Sequence, residues 1–353
     1  MSKRKVGIIG SICDKMDGQT VKTKILYDEL NSKTDWDFYI ANTQNKSKHP
    51  IKLLLQTIKL IVLCKDIFIL VSQNGAKIYF PLLYYAKKIF HNRIYHDVIG
   101  GSPEDYIDYN PKNKKYLNSF AVNWVETKQM CIDLEKEGVN NAEELPNFKN
   151  LKIVSENELI NTFDEVLPLC TFSRVMKEKG IEDAIEAVES LNWTYGRKVF
   201  RLDIYGLIEE SYKEEFDLIM SNCSDAIRYC GLIPYDQSVS VVKNYYALLF
   251  PTFWFGEGFP GTIVDAFSSG VPVIATDWSA NKEIIENYKT GLIYPNDECK
   301  TLIECLEWAQ CNRKLMTEMR RNCIKKAIYY QPDEHIKKII ERVDKNEKNN
   351  MYS

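Results

Sequence analysis

The sequence predicts an α/β fold built as two successive parallel-sheet domains, and three observations carry that prediction. Short β-branched runs alternate with longer amphipathic stretches, the alternation starts afresh after a polar interval, and 353 residues suit two cores better than one.

In the first half the strand-like runs are 5–12, 37–41, 67–72, 94–99 and 122–125. In the second they are 165–171, 199–205, 226–230, 247–251, 271–276 and 291–294, with helical patterns such as 181–190 and 212–221 in the gaps. Between the halves, Pro146-Asn147-Phe148-Lys149-Asn150 opens a polar segment that runs to Thr162 without a clear period. The predicted division is therefore a domain over 1–160, a second over 161–330, and a helix within 331–353 that returns to the first domain. The polar end, 344–350, is expected to fray.

Composition narrows the function classes. With 45% hydrophobic and 27% charged residues and a net charge of −3, the chain reads as globular, and nucleic acid is not an expected partner. Residues 1–100 nevertheless carry 16 Lys+Arg against 8 Asp+Glu, so the first domain is basic. The ten cysteines form no C-x-x-C pair, which fits reduced thiols in a cytoplasmic protein better than a zinc site or a disulfide framework. The first apolar run, Val6 to Ile9, is too short for a signal segment or a membrane span.

Chemistry concentrates in one stretch, Pro251-Thr252-Phe253-Trp254-Phe255-Gly256-Glu257-Gly258-Phe259-Pro260-Gly261-Thr262-Ile263-Val264-Asp265. A strand here ends in a glycine-rich loop that opens a helix, a junction that turns free backbone N–H groups and the positive end of the helix dipole toward a ligand. Asp265, three residues beyond Thr262 and four beyond Gly261, falls on the same helix face, so a diphosphate ester with polar groups at both ends suits the spacing.

This stretch resembles the C-terminal signature of the family 4 glycosyltransferases, retaining enzymes of the GT-B fold, and in particular the bacterial capsular and exopolysaccharide transferases. The resemblance implies two Rossmann-like domains facing a central cleft. It implies that Glu257 meets hydroxyls of the donor sugar, that the amides of Gly258, Phe259, Pro260, Gly261, Thr262 and Ile263 meet the sugar and diphosphate, and that Asp265 holds the ribose where the family has Glu. The segment Phe172-Ser173-Arg174-Val175-Met176-Lys177-Glu178-Lys179-Gly180 also resembles the family's Arg, then Lys-Gly, segment, which makes Arg174 and Lys179 the cations on the leaving diphosphate. Two fixed cations stabilise that charge without a metal, so no metal or other cofactor is expected. Tyr229, in Tyr229-Cys230-Gly231-Leu232, stands where the family contacts the base.

The first half is less specific. Gly7-Ile8-Ile9-Gly10 is neither a dinucleotide fingerprint nor a Walker loop, but the polar loop after it resembles the cleft-facing first loop of these transferases. Gly18 and Gln19, with Thr20, are thereby candidates to touch donor or acceptor, and His96, at a strand end beside Asp97, is a candidate for the donor sugar. Asp35-Trp36-Asp37 reads as the start of a strand rather than a metal motif.

The function implied is transfer of a sugar from a nucleoside diphosphate sugar, UDP-sugar favoured, to a saccharide acceptor, lipid-linked, in cell-surface polysaccharide synthesis. The apolar helix at 49–63, edged by Lys46, Lys48, Lys52, Lys59 and Lys65, reads as packing on a sheet or as docking on the anionic inner face of a membrane. The alternatives from other classes are a non-catalytic sugar-nucleotide-binding subunit and a nucleotide-sugar 2-epimerase.

Overall fold

The structure is a computed structural model that describes residues 3–12, 18–98, 100–101, 105–295 and 299–351. Among these the chain forms two compact units, Met1–Asn150 with Gln331–Ser353, and Leu151–Tyr330.

In the first unit β1 (Lys5–Gly10), β2 (Asp37–Asn42), β3 (Asp66–Leu70), β4 (Arg93–Asp97), β5 (Val122–Val125) and β6 (Ala142–Glu144) form one parallel sheet in the order β2-β1-β3-β4-β5-β6. Its central strand β3 is buried along its whole length, as expected where both faces of a sheet are covered. Along β3, Ile67 and Ile69 enter one core cluster while Phe68 and Leu70 enter the other.

In the second unit β7 (Leu167–Phe172), β8 (Phe200–Tyr205), β9 (Ile227–Gly231), β10 (Ala247–Phe250), β11 (Val273–Thr276) and β12 (Gly291–Tyr294) form another parallel sheet, ordered β12-β11-β10-β7-β8-β9. The same alternation holds, with Leu169 and Leu249 on one face and Cys170, Leu248 and Phe250 on the other.

One boundary differs from the sequence reading. The units part after Asn150 rather than near residue 160, because Leu151 packs into the second core and Val154 and Leu159 close on Ile324. The polar end continues the helix Pro332–Met351, where Ile336, Ile339 and Val343 pack with Val6, Ile8 and Leu26, and Arg4 pairs with both Asp344 and Glu347.

Candidate active site

The second sheet reverses its strand order beside β7. The chain runs outward through β8 and β9, then returns to lay β10 on the other side of β7. In open α/β sheets the loops at the carboxyl ends of the two strands flanking such a reversal form the ligand crevice. Here they are the segment from Ser173 to Gly180 after β7 and the glycine-rich segment from Pro251 to Pro260 after β10.

Backbone bonds clamp the two loops together. Phe253 N donates to the Glu178 carbonyl at 2.9 Å, and Gly180 begins the helix Ile181–Thr194 in the left-handed region (φ 66°). This places the Lys179 ammonium against the Glu257 carboxylate, a pair whose side chains are 6% and 9% exposed. Thr252 Oγ1 donates to the same Glu257 oxygen, Oε2, at 3.0 Å. Oε1 makes no hydrogen bond among the described residues. Burial pushes the Lys179 ammonium down, nearby Arg174 adds to that, and Glu257 opposes it.

Trp254 lies among these charges. The Arg174 guanidinium sits 4.7 Å and the Lys179 ammonium 4.5 Å from its ring centroid. The Trp254 carbonyl accepts from Glu257 N at 3.0 Å and from Trp278 Nε1 at 2.8 Å, and Ser279 Oγ donates to the Glu257 carbonyl at 2.8 Å. Arg174 itself is half exposed, with Glu209 at 3.6 Å.

The loop then opens the helix Gly261–Ser268, whose N-cap, Pro260, supplies no side-chain hydrogen bond. Its first-turn N–H groups therefore lack a side-chain cap. Thr262 Oγ1 is buried without a hydrogen-bond partner among the described residues, a rare condition that a bound polar group would relieve. Phe259 turns its ring onto Tyr330, and Ile263 is fully buried, so their side chains serve the core. Asp265 is buried and accepts from Ser238 Oγ at 2.9 Å, which fixes one of its oxygens. Tyr229 packs edge-on against Phe216 and donates its hydroxyl to the Gly206 carbonyl at 2.8 Å.

The first unit places its candidates differently. His96 is fully buried, caged by Phe80, Tyr106 and Phe120, with Nδ1 at 3.0 Å from Asn123 Oδ1. Burial drives its pKa down to about 4. Its other ring nitrogen, Nε2, is buried without a hydrogen-bond partner among the described residues. Its neighbour Asp97 joins a buried ionic cluster, in which Lys22 Nζ donates to Asp97 at 2.7 Å and Glu126 at 3.1 Å. Burial raises Asp97 to about 6, and this cluster ties the first helix, Gly18–Lys33, to the ends of β4 and β5. Gly18 and Gln19 begin that helix, but their side chains lie outside the described residues. Thr20 is buried and lies 3.2 Å from Ser11 Oγ.

Trp254, Thr252 and Ser238 had no role assigned from sequence. Thr252 and Trp254 stand in the quoted motif but match no charge or spacing rule. Ser238 is distant in sequence and carries no signal.

Residues 160–328 match the profile of a family described as glycosyl transferases group 1. This stretch is similar to the group 1 glycosyl transferases. The matched residues span most of the second unit, including both loops and the helix that follows them. Among curated relatives, the GtfA subunit of a UDP-N-acetylglucosamine–peptide N-acetylglucosaminyltransferase from Streptococcus agalactiae is 28% identical over 197 residues, 55% of this chain and 37% of the relative. The amylovoran biosynthesis glycosyltransferase AmsK of Erwinia amylovora is 24% identical over 42% of this chain and 37% of its own length. The chain therefore spans just over a third of the length of these relatives. Solved structures extend the likeness to the whole fold. A sucrose-phosphate synthase from Thermosynechococcus elongatus superposes with a TM-score of 0.76 at 13% identity, covering 97% of this chain and 99% of the other. Anabaena HepE, solved with UDP and glucose, gives 0.72 at 12% identity over 97% and 99%. The fold is GT-B, as the motif resemblance implied.

Proposed function

We propose that the protein is a retaining glycosyltransferase that moves a sugar from a UDP-sugar to a saccharide acceptor, with a lipid-linked glycan of cell-surface polysaccharide synthesis as that acceptor. The observation that carries this reading is the Lys179–Glu257 pair at the strand reversal, with Arg174 beside it and the uncapped helix Gly261–Ser268 next in the chain. In this scheme Arg174, Lys179 and the first-turn amides meet the diphosphate, Glu257 Oε1 takes a donor-sugar hydroxyl, and Asp265 takes the ribose. As the bond from the anomeric carbon to the leaving phosphate oxygen breaks, negative charge builds on that phosphate, where fixed cations stabilise it most. The acceptor oxygen bonds to the same face of the anomeric carbon, and its proton passes to the departing phosphate oxygen. Two protein cations at the diphosphate also support turnover without a metal.

Incubation with a panel of UDP- and GDP-sugars, with and without saccharide acceptors and with EDTA, tests this reading. The expected result is UDP release that depends on acceptor and survives EDTA, with the donor's anomeric configuration kept in the product by NMR. Epimer formation from donor alone would overturn it in favour of an epimerase, and absence of turnover with retained donor binding would favour a non-catalytic subunit.

The same reading seats the first unit on an anionic membrane surface. On the helix Pro50–Leu63 only Thr57, Leu60 and Ile61 are buried, so part of its apolar surface packs on the sheet. The opposite stripe, Ile51, Leu54, Leu55, Ile58 and Val62, is exposed beside Lys52 and Lys59. Apolar residues flanked by lysines match the interface of an anionic bilayer. No helix among the described residues is long and apolar enough to cross a membrane. The protein is expected to co-sediment with phosphatidylglycerol vesicles at low salt, less so at moderate salt, and weakly after Leu55→Asp with Ile58→Asp. Equal recovery with phosphatidylcholine vesicles alone would contradict the charge argument.

A further inference from the structure

We infer that Trp254 is a positioning residue that holds Arg174 and Lys179 in place for the donor's diphosphate. The inference rests on the reading that these two cations receive that group.

Two like charges near one another repel, and in the unliganded protein something must hold them there. Glu257 neutralises Lys179, whereas among the described residues the carboxylate beside Arg174 is Glu209 at 3.6 Å, between half-exposed side chains, where pairing is weak. The indole supplies the missing attraction. Both cationic centres lie within 5 Å of its ring centroid, and tryptophan has the strongest π-face among side chains for a cation.

The attraction has a chemical advantage over a second carboxylate. A guanidinium held through its face keeps its N–H edge free, and a phosphate can accept from that edge while the ring contact persists. A carboxylate would occupy the same donors and would have to be displaced. The indole also stands apart from the backbone role of its residue, since the bonds from Glu257 N and Trp278 Nε1 go to the Trp254 carbonyl. A side-chain change at this position can therefore remove the cation contacts and leave the loop bonds in place.

The test is calorimetric binding of UDP, GDP and UMP to the full chain with leucine, phenylalanine or ring-fluorinated tryptophans at position 254. Fluorination drains the π-face while nearly preserving shape. UDP affinity is expected to fall about tenfold in Trp254→Leu, less in Trp254→Phe, and stepwise with each added fluorine. The preference for UDP over UMP should shrink in parallel, which a merely structural role would not produce. Affinity flat across the fluorinated series, or equal losses for UDP and UMP, would overturn the inference. Arg174→Ala and Lys179→Ala separate the two levels. If they lose diphosphate affinity while the tryptophan series stays flat, only the role of Trp254 fails; if they keep it, or if the native chain binds neither UDP nor GDP, the reading beneath it fails as well.

Discussion

Lys179→Met is expected to lower turnover about 10²–10³-fold, the loss typical of removing one preorganised group at a site of developing charge. It should also lower the melting temperature. The substitution strands the Glu257 carboxylate in a buried site with Thr252 as its remaining donor, and breaking a buried pair from one side costs about 3–5 kcal/mol. Glu257→Gln keeps an oxygen for Lys179 but gives up a charged hydrogen bond to the sugar, so turnover should fall roughly 10–100-fold. The informative protein is the double variant. With both charges gone no buried charge is left unpaired, and much of the stability should return. Turnover should not, because each group is assigned its own part of the donor. Steady-state rates and melting curves on all four proteins decide the matter. If turnover recovered in the double variant along with stability, the pair would be a structural strut and the donor would bind elsewhere.

The parts of that pair were visible in the sequence, but their contact was not. Glu257 and Lys179 are 78 residues apart, and only the placement of β10 next to β7 brings them together. Strands rich in β-branched residues were readable because their periodicity reports burial directly. β6 was not, since Ala142-Glu143-Glu144 has neither alternation nor β propensity and is held only by its pairing with β5. At β4 the two-residue period separates no core face from a site face, because both faces are buried: Ile94 enters one cluster and Tyr95 the other, with His96 against Phe80 and Phe120. The pairing of the polar tail is likewise out of reach of local sequence: Asp344 and Glu347 are one helical turn apart and share Arg4, a partner more than 300 positions away.

Assembly of the site makes a second large demand at Gly180. Its left-handed conformation (φ 66°) lets the chain turn from Lys179 into the next helix, and a Cβ there would lie 2.1 Å from the Pro251 carbonyl oxygen and 2.8 Å from its carbon. Gly180→Ala therefore carries two costs. The backbone term is about 1–2 kcal/mol for a non-glycine residue in this region, and wedging apart packed backbone adds roughly 1–3 kcal/mol. Gly196→Ala separates them, because Gly196 is also left-handed (φ 60°) but a Cβ there meets nothing within 4 Å. That variant should lose only the backbone term and keep full turnover. In Gly180→Ala the wedge would act between the Lys179 turn and the segment leading to Glu257, across the bond from Phe253 N to the Glu178 carbonyl. Its turnover should fall more steeply than its melting temperature alone explains. Equal stability losses in the two variants, with normal turnover in Gly180→Ala, would mean that the loops adapt to the added methyl group and that the spacing of Lys179 and Glu257 tolerates it.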